Sequence, residues 1–350
     1  MPNLSHKYII GERQERCLYC SGTKITKKGK RRKKFETVQL WYCKDCDAVF
    51  TPRALKGKSY PIPVILDGLS YYHTGHSLET SATLIQERYG MKVTPTTLSR
   101  WLSEYKDLCP YGSRRQKDMV LFKPHRIIQS TRFHHQQVYQ YRLHRGKLET
   151  IFKIQQHKAL APLATFLQSM TTACPHRFFQ DEGRGSQLKT KFDLDGVSIR
   201  ERQNLAIRVA QLSVQGARQN KQRHDMVQKF MIATDSATIA TEVPVYLFPK
   251  DIRHFTKELG FDVPLKETTT FTGHIDALQV RGGAIHILDY KPNARREKPI
   301  EQLTFYALAL SRRTGLRLYD FTCAWFDDKH YFEFFPLQVV HKRLSARRYF

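Results

Sequence analysis

The 350-residue chain contains no run of eighteen apolar residues, so no stretch reads as a membrane-spanning helix. Its first residues, Met1-Pro2-Asn3-Leu4-Ser5-His6-Lys7, lack the apolar core of a secretory signal, and a cytoplasmic location is the default expectation. Acids are scarce. Asp and Glu number 32 against 58 Lys and Arg, a formal charge of +26. So large an excess points to a polyanionic partner, nucleic acid first. No basic amphipathic helix stands out as an anchor, which sets an acidic membrane surface aside. No internal repeat is evident. Apolar residues are not lacking: at 41% they suffice for substantial cores and argue against global disorder. The length allows two or three domains.

Cysteines number only seven, and four of them form two pairs, Cys17-Leu18-Tyr19-Cys20 and Cys43-Lys44-Asp45-Cys46. In a chain without a secretion signal, such pairs favour metal over disulfides. Each makes a tight knuckle, and two knuckles supply the four sulfurs of a tetrahedral structural Zn²⁺ site. The 22 intervening residues slightly exceed the usual spacing of roughly 15–20. The alternative is four unligated core cysteines; an iron–sulfur cluster suits paired knuckles less well. Strand-like Val38–Tyr42 enters the second knuckle and Ala48–Pro52 leaves it, so the segment resembles a zinc ribbon. Its ion would fold a module too small to build its own core, and four sulfurs leave no open catalytic position. Within the ribbon, eight of the eleven residues from Lys24 to Lys34 are basic. A solvated tip is one reading. Phosphate contact by Lys28, Lys30, Arg31, Arg32, Lys33 and Lys34 is preferred, because the charges repel one another until neutralised.

Residues 61–106 read as three helices. Pro61–Tyr72 carries Ile62, Ile65, Leu66 and Leu69 at helical spacing and breaks at Gly75. Ser77 caps a second helix, Leu78–Tyr89, which Gly90 ends, and Thr94-Pro95 starts a third through Tyr105. This is the helix-turn-helix pattern, with Thr96, Thr97, Ser99 and Arg100 presented to DNA and Leu98, Trp101 and Leu102 packed. An ordinary helical bundle is the bland alternative. The ribbon followed by Gly90-Met91-Lys92-Val93-Thr94-Pro95-Thr96-Thr97-Leu98-Ser99-Arg100-Trp101 resembles the N-terminal region of many prokaryotic insertion-sequence transposases, over roughly residues 15–106. The resemblance implies sequence recognition and not a reaction.

Residues 107–125 read as a linker, and residues 126–170 as helical for much of their length. Leu160, Leu163 and Leu167 suit a packed stripe, with a new helix starting at Pro162. The neighbours His134 and His135 would point about 100° apart on a helix and make a poor metal pair, so they are taken as surface or core residues. Gln180–Ser186 reads as a polar loop.

The chemistry lies further on. Arg200–Thr234 reads as a long helical stretch interrupted near Gly216. Ile239–Leu247, Thr270–Arg281 and Ala284–Tyr290 read as strands, with a Gly282-Gly283 hairpin turn between the last two. A helix, Pro299–Arg312, and a closing hairpin, Tyr319–Phe326 and His330–Phe335, follow. Asp276 lies near the end of one strand, and Asp289 and Lys291 near the end of the next. Two adjacent strands ending in acids can hold a divalent metal, and a lysine two residues after an acid projects from the same face.

Glu242, Gly273-His274-Ile275-Asp276, Asp289-Tyr290-Lys291 and Gln302-Leu303-Thr304-Phe305-Tyr306, in this order, resemble the PD-(D/E)xK nuclease superfamily. The similarity is greatest to its RecB-like branch of CRISPR-associated exonucleases and helicase-linked nuclease domains, and spans roughly residues 200–340. The resemblance implies that Asp276, Asp289 and the Tyr290 carbonyl bind Mg²⁺ or Mn²⁺, joined by Glu242. Lys291 would orient or activate water and offset phosphorane charge. Gln302 and Tyr306 would steady the lysine and the DNA backbone. Some members add an upstream histidine, for which His224 is the best candidate. Several RecB-like nucleases hold an iron–sulfur cluster through one cysteine before the core and three after it. Only Cys323 follows the core here, so no cluster is expected.

The expected architecture is multidomain: a zinc ribbon (1–58), a helix-turn-helix (59–108), a linker and helical middle region (109–199), and an α/β restriction-endonuclease-like core with a mixed central sheet (200–350). The expected activity is that of a metal-dependent DNA endonuclease at mobile-element ends, in a prokaryotic cytoplasm. DNA is the expected partner, with a transposase or recombinase and a homodimer as further candidates. One competing reading is an RNase H-type transposase. It would need Asp276 and Asp289 on separate, non-hairpin strands and a third acid such as Glu301. The other is a DNA-binding regulator that does not cut.

Overall fold

The computed structural model describes residues 9–10, 16–51, 58–113, 115–154, 157–180, 185, 191–216 and 220–341. Met1–Lys7 and most of the polar loop expected at 180–186 fall outside these residues.

The N-terminal module is a small sheet. Strand β1 (Ile9–Ile10) pairs parallel with β3 (Thr37–Cys43), which pairs antiparallel with β2 (Ile25–Arg32) and β4 (Val49–Phe50). Both knuckles end alike: Ser21 and Asp47, each directly after its second cysteine, adopt φ 60° and 56°. This left-handed step turns the chain back so that two cysteines of one pair face one point. Cys17, Trp41, Cys43 and Phe50 form one buried apolar cluster, with Ile25 packed beside it, while Val38 of β3 is buried against the helices that follow.

Three helices follow as expected: α1 (Ile62–His73), α2 (Leu78–Tyr89) and α3 (Pro95–Glu104). Ser77 Oγ accepts from Thr80 N (3.1 Å) and Thr94 Oγ1 from Thr97 N (3.2 Å), capping the second and third. Gly90 ends α2 at φ 65°. Gly68 lets the three close up, since a Cβ there would lie 2.7 Å from Leu98 Cδ2. The trio does not bury its apolar face alone. Ile65, Leu69, Ile85, Leu98 and Trp101 share one core with helices that come much later in the chain.

The main sheet has eight strands: β5 (Ile128–His135), β6 (Gln137–His144), β7 (Arg200–Glu201), β8 (Thr238–Leu247), β9 (Phe271–Arg281), β10 (Ala284–Tyr290), β11 (Phe321–Phe326) and β12 (Tyr331–Phe334). Their order is β5-β6-β8-β9-β10-β11-β12-β7, and only the β10–β11 pairing is parallel, so the sheet is mixed. The hairpin turn expected at Gly282-Gly283 is present, both at positive φ (58° and 76°).

On one face lie α4 (Ala161–Ala173) and α7 (Ile300–Thr314); on the other, α5 (Leu205–Ser213) and α6 (Asn220–Thr234), with α1–α3 outside them. The result is a layered α/β core. Pro162 stands in the first turn of α4, as the sequence indicates.

Three expectations need correction. Residues 107–125 are not a plain linker: Arg115–Leu121 is helical, and Tyr111 and Asp118 are buried. Residues 128–144 are not helical but form the β5–β6 hairpin. Along β5, Phe133 and His135 are buried while Arg132 and His134 are exposed, and along β6, Tyr141 and Leu143 are buried. That is the period of two, hidden in the sequence because His and Gln occupy several positions. The stretch from Arg200 likewise begins as β7, paired with β12, and becomes helical only at Leu205.

Candidate active site

Strands β8, β9 and β10 bring three acids to one cleft of about 490 Å³. Thr241 pairs with Ala277 and Val243 with Ile275, so Glu242 stands beside Asp276 in the ladder. Asp289 sits one residue before the end of β10, and Lys291 just beyond it. The Lys291 Nζ lies 2.8 Å from Asp289 Oδ2, as two residues on one strand face require. The Tyr290 N–H donates to Asp276 Oδ2 at 2.9 Å and ties the two strand ends together.

Helix α6 supplies the next groups. His224 and Gln228 are four residues apart and therefore on one face. His224 Nδ1 is 3.3 Å from Asp276 Oδ2, and Gln228 Nε2 donates to Glu242 Oε1 at 2.8 Å. From the other side, α7 contributes Gln302 and Tyr306, again four apart, with Gln302 Nε2 donating to the Tyr306 hydroxyl at 2.6 Å. Gly273 makes this approach possible: a Cβ there would fall 2.3 Å from Tyr306 Cε1. Glu242 adopts φ 53° inside its strand. Such a backbone costs a non-glycine residue about 1–3 kcal/mol, and it is found where surrounding structure fixes a side chain for use.

The electrostatics follow from crowding three carboxyls in a buried place. Burial, then the negative Asp276, push Glu242 up to about 8. Burial and Asp276 likewise push Asp289 up to about 7. Burial also acts to raise Asp276, but hydrogen bonding and charge from His224, with Lys291, hold it below the ordinary carboxylate range. His224 is raised in turn: its burial is outweighed by Asp276. Lys291 is raised because Asp289 and Asp276 outweigh its burial. Three acids held this close cannot all ionise without added positive charge. A hard divalent cation fits the donor set, which is rich in carboxylate oxygen.

Every site residue expected in this half of the chain thus lines the one cleft or borders it. Sequence reasoning assigned no role to Gln228, Gly273, His274 or Tyr139. His274 lies two residues from Asp276 on β9, and its ring stacks on Tyr139 (3.6 Å between centroids, 4° between planes). Gly273 and His274 stand in the motif itself. Tyr139 carries no local signal, since only the pairing of β6 with β8 brings it here. A larger hollow of about 830 Å³, between α4 and Arg312–Thr314, offers no comparable acid set. Its Asp251 is already paired with Arg312 (3.1 Å) and Arg313.

Residues 200–328 match the family model of the PD-(D/E)XK nuclease superfamily. The match implies a nuclease. It includes all of the acids, the lysine, His224 and the α7 pair, but neither the ribbon nor α1–α3 nor the β5–β6 hairpin. No curated protein and no solved structure matches the chain. The hairpin joining β9 directly to β10 removes the separate strands that the RNase H-type reading required, and Glu301 does not line the cleft.

The four ribbon cysteines converge as their spacing suggests. Their sulfurs lie within 4.8 Å of one another, with Cys17–Cys46 and Cys20–Cys43 both at 3.6 Å. Backbone N–H groups of Tyr19 and Gly22 point at Cys17 and Cys20 sulfurs (3.4 Å each). The cluster is compatible with Zn²⁺. Among the basic residues, Lys28, Lys30, Arg31, Arg32 and Lys34 are exposed. Lys33 turns inward instead, to Glu36 (3.6 Å) and the Lys58 carbonyl (3.2 Å). On α3, Thr96, Ser99 and Arg100 are exposed, while Thr97 is half-buried against its cap, Thr94 (2.9 Å).

Proposed function

We propose that the protein is a divalent-metal-dependent DNA endonuclease. The observation that supports this most is the cleft in which Glu242, Asp276, Asp289, His224 and Lys291 meet. Asp276, Asp289, Glu242 and the Tyr290 carbonyl would hold Mg²⁺ or Mn²⁺, with His224 as a further ligand or as the group that orients Asp276. The ion, when bound, polarises the scissile phosphate and lowers the pKa of water. Lys291 is a fixed positive charge beside the reacting phosphate, positioned by Asp289 to offset charge that grows during attack. Gln302 and Tyr306 act as a pair, holding the substrate backbone near the lysine.

The ribbon (1–58), with its zinc and exposed Lys28, Lys30, Arg31, Arg32 and Lys34, and the helix-turn-helix (59–108), with Thr96, Ser99 and Arg100, would deliver DNA to this cleft. Residues 200–350 would form the nuclease domain, completed by the β5–β6 hairpin and α4, which share its sheet and core. The resemblance of the front to insertion-sequence transposases favours a RecB-like nuclease that cuts at mobile-element ends beside a partner recombinase. Purified protein incubated with duplexes and DNA ends, in Mg²⁺ or Mn²⁺, tests the reading. Cleavage is expected, and its loss in Asp276→Ala and Lys291→Ala. Undiminished cutting by either variant would refute the site, and no cutting in any metal would refute the activity.

A further inference from the structure

A second cluster of ligand-type side chains lies behind the cleft and serves no step above. His135 at the tip of the β5–β6 hairpin, Cys174 just after α4, and His176 two residues on bring ligand atoms within 4.8 Å of one another. The His176 N–H donates to the Cys174 carbonyl at 2.9 Å, a tight turn that keeps both side chains near one point. His135 and Cys174 are buried, and His176 is exposed, so the cluster opens to solvent on one side. Residues 39 and 41 positions apart in the chain meet here only because the hairpin folds over the end of α4.

We propose that His135, Cys174 and His176 form a zinc site with one open position, distinct from the four-cysteine cluster and from the acid cleft. Two imidazoles and a thiolate are a borderline-soft donor set that suits Zn²⁺ and not Mg²⁺. The ring geometry assigns the nitrogens. His135 Nε2 faces His176 Nδ1 at 2.8 Å, so these are the ring nitrogens that could turn to one ion, while His135 Nδ1 faces His274 Nε2, also at 2.8 Å. A ligating histidine commonly donates its other N–H to an acceptor that fixes the ring, and His274 Nε2 stands where that acceptor would be. Two imidazole nitrogens and a thiolate would bind the ion in their unprotonated forms, as any such site requires. The site would pin the hairpin tip and the 174–179 segment to β9, two residues from Asp276, through the His135–His274 bond.

The competing account is a metal-free chain in which His176 donates to His135 and His135 to His274. Zinc analysis of the full-length protein separates the two without measuring cleavage. The protein is loaded with zinc, then dialysed against excess Mg²⁺ so that the acid cleft holds none. One zinc per chain fewer is expected in His176→Ala than in wild type, and the same in Cys174→Ser. The exposed position of His176 makes its variant safe for folding, which circular dichroism checks. An equal zinc content in wild type and both variants would overturn the proposal, whether the shared number is one or two. Because zinc content does not depend on cleavage, failure here leaves the nuclease reading intact, and inactivity of the acid cleft leaves this one intact.

Discussion

The four-cysteine cluster takes its ligands from two short knuckles, on a ribbon whose own apolar cluster is only Trp41, Phe50 and two of the cysteines themselves, while its Val38 packs into the core of α1–α3. The acid cleft takes its groups from three strands and two helices spread from His224 to Tyr306, over a core of dozens of buried side chains. In the ribbon, an ion held by the four cysteines would substitute for a core that so few residues cannot supply. In the cleft, the core comes first and holds acids together against their repulsion. Helix α6 links the cleft to the helices beyond the sheet: it faces the cleft with His224 and Gln228, while Lys229 pairs with Asp67 of α1 at 2.7 Å.

Stripping zinc breaks the comparison most severely. Ion binding supplies about 10–16 kcal/mol of folding free energy in small zinc modules. Chelation is therefore expected to open residues 16–51 to trypsin at the Lys27–Arg32 strand while the β-sheet signal of the remainder survives. Simultaneous loss of both would show that the ribbon and the sheet are one folding unit. A smaller effect is expected in the cleft, where His224→Ala should weaken Mg²⁺ about 10–100-fold. Titration of cleavage with Mg²⁺ reads this as a rightward shift, with the maximal rate recovered at saturation; an unchanged midpoint removes His224 from the ion's surroundings. Gly273→Ala forces Tyr306 aside and should cost about 1–3 kcal/mol in urea unfolding, as overpacking does. Unaltered stability would mean that the ring moves freely. The mildest change is Lys30→Ala with Arg32→Ala on the exposed face of β2. DNA affinity should fall on all sequences alike, and the slope of log affinity against log salt should shrink by about 2. An unchanged slope would mean that this strand faces solvent in the complex.

What the sequence made legible follows the same division. The cysteine knuckles, the caps Ser77 and Thr94, the turn at Gly282-Gly283 and the order of acids, lysine and α7 pair are local patterns, and each lies where it was expected. The β5–β6 hairpin was not legible. Its inward positions are held by His135 and Tyr141 as well as Phe133 and Leu143, so the alternation lacks the aliphatic residues that usually announce a strand. The pairing of Arg142 with Thr241 and Leu143 with Ala240, between β6 and β8, is also a non-local event that no window of sequence contains. Tyr139, the stacking partner of His274, and the meeting of His135 with His176 were lost for that reason. The shared core of α1–α3 with α5 and α6 was hidden too, because a helix-turn-helix pattern reads as a unit complete in itself.

The most direct test of the acid cleft is cleavage of supercoiled plasmid in Mg²⁺ by wild type and Asp289→Asn, a change that keeps shape and removes charge. A fall of at least about a thousandfold, or about 4 kcal/mol at 1.36 kcal/mol per tenfold, is expected from the variant, with its zinc content and circular dichroism unchanged. Equal rates for the two proteins would contradict the account.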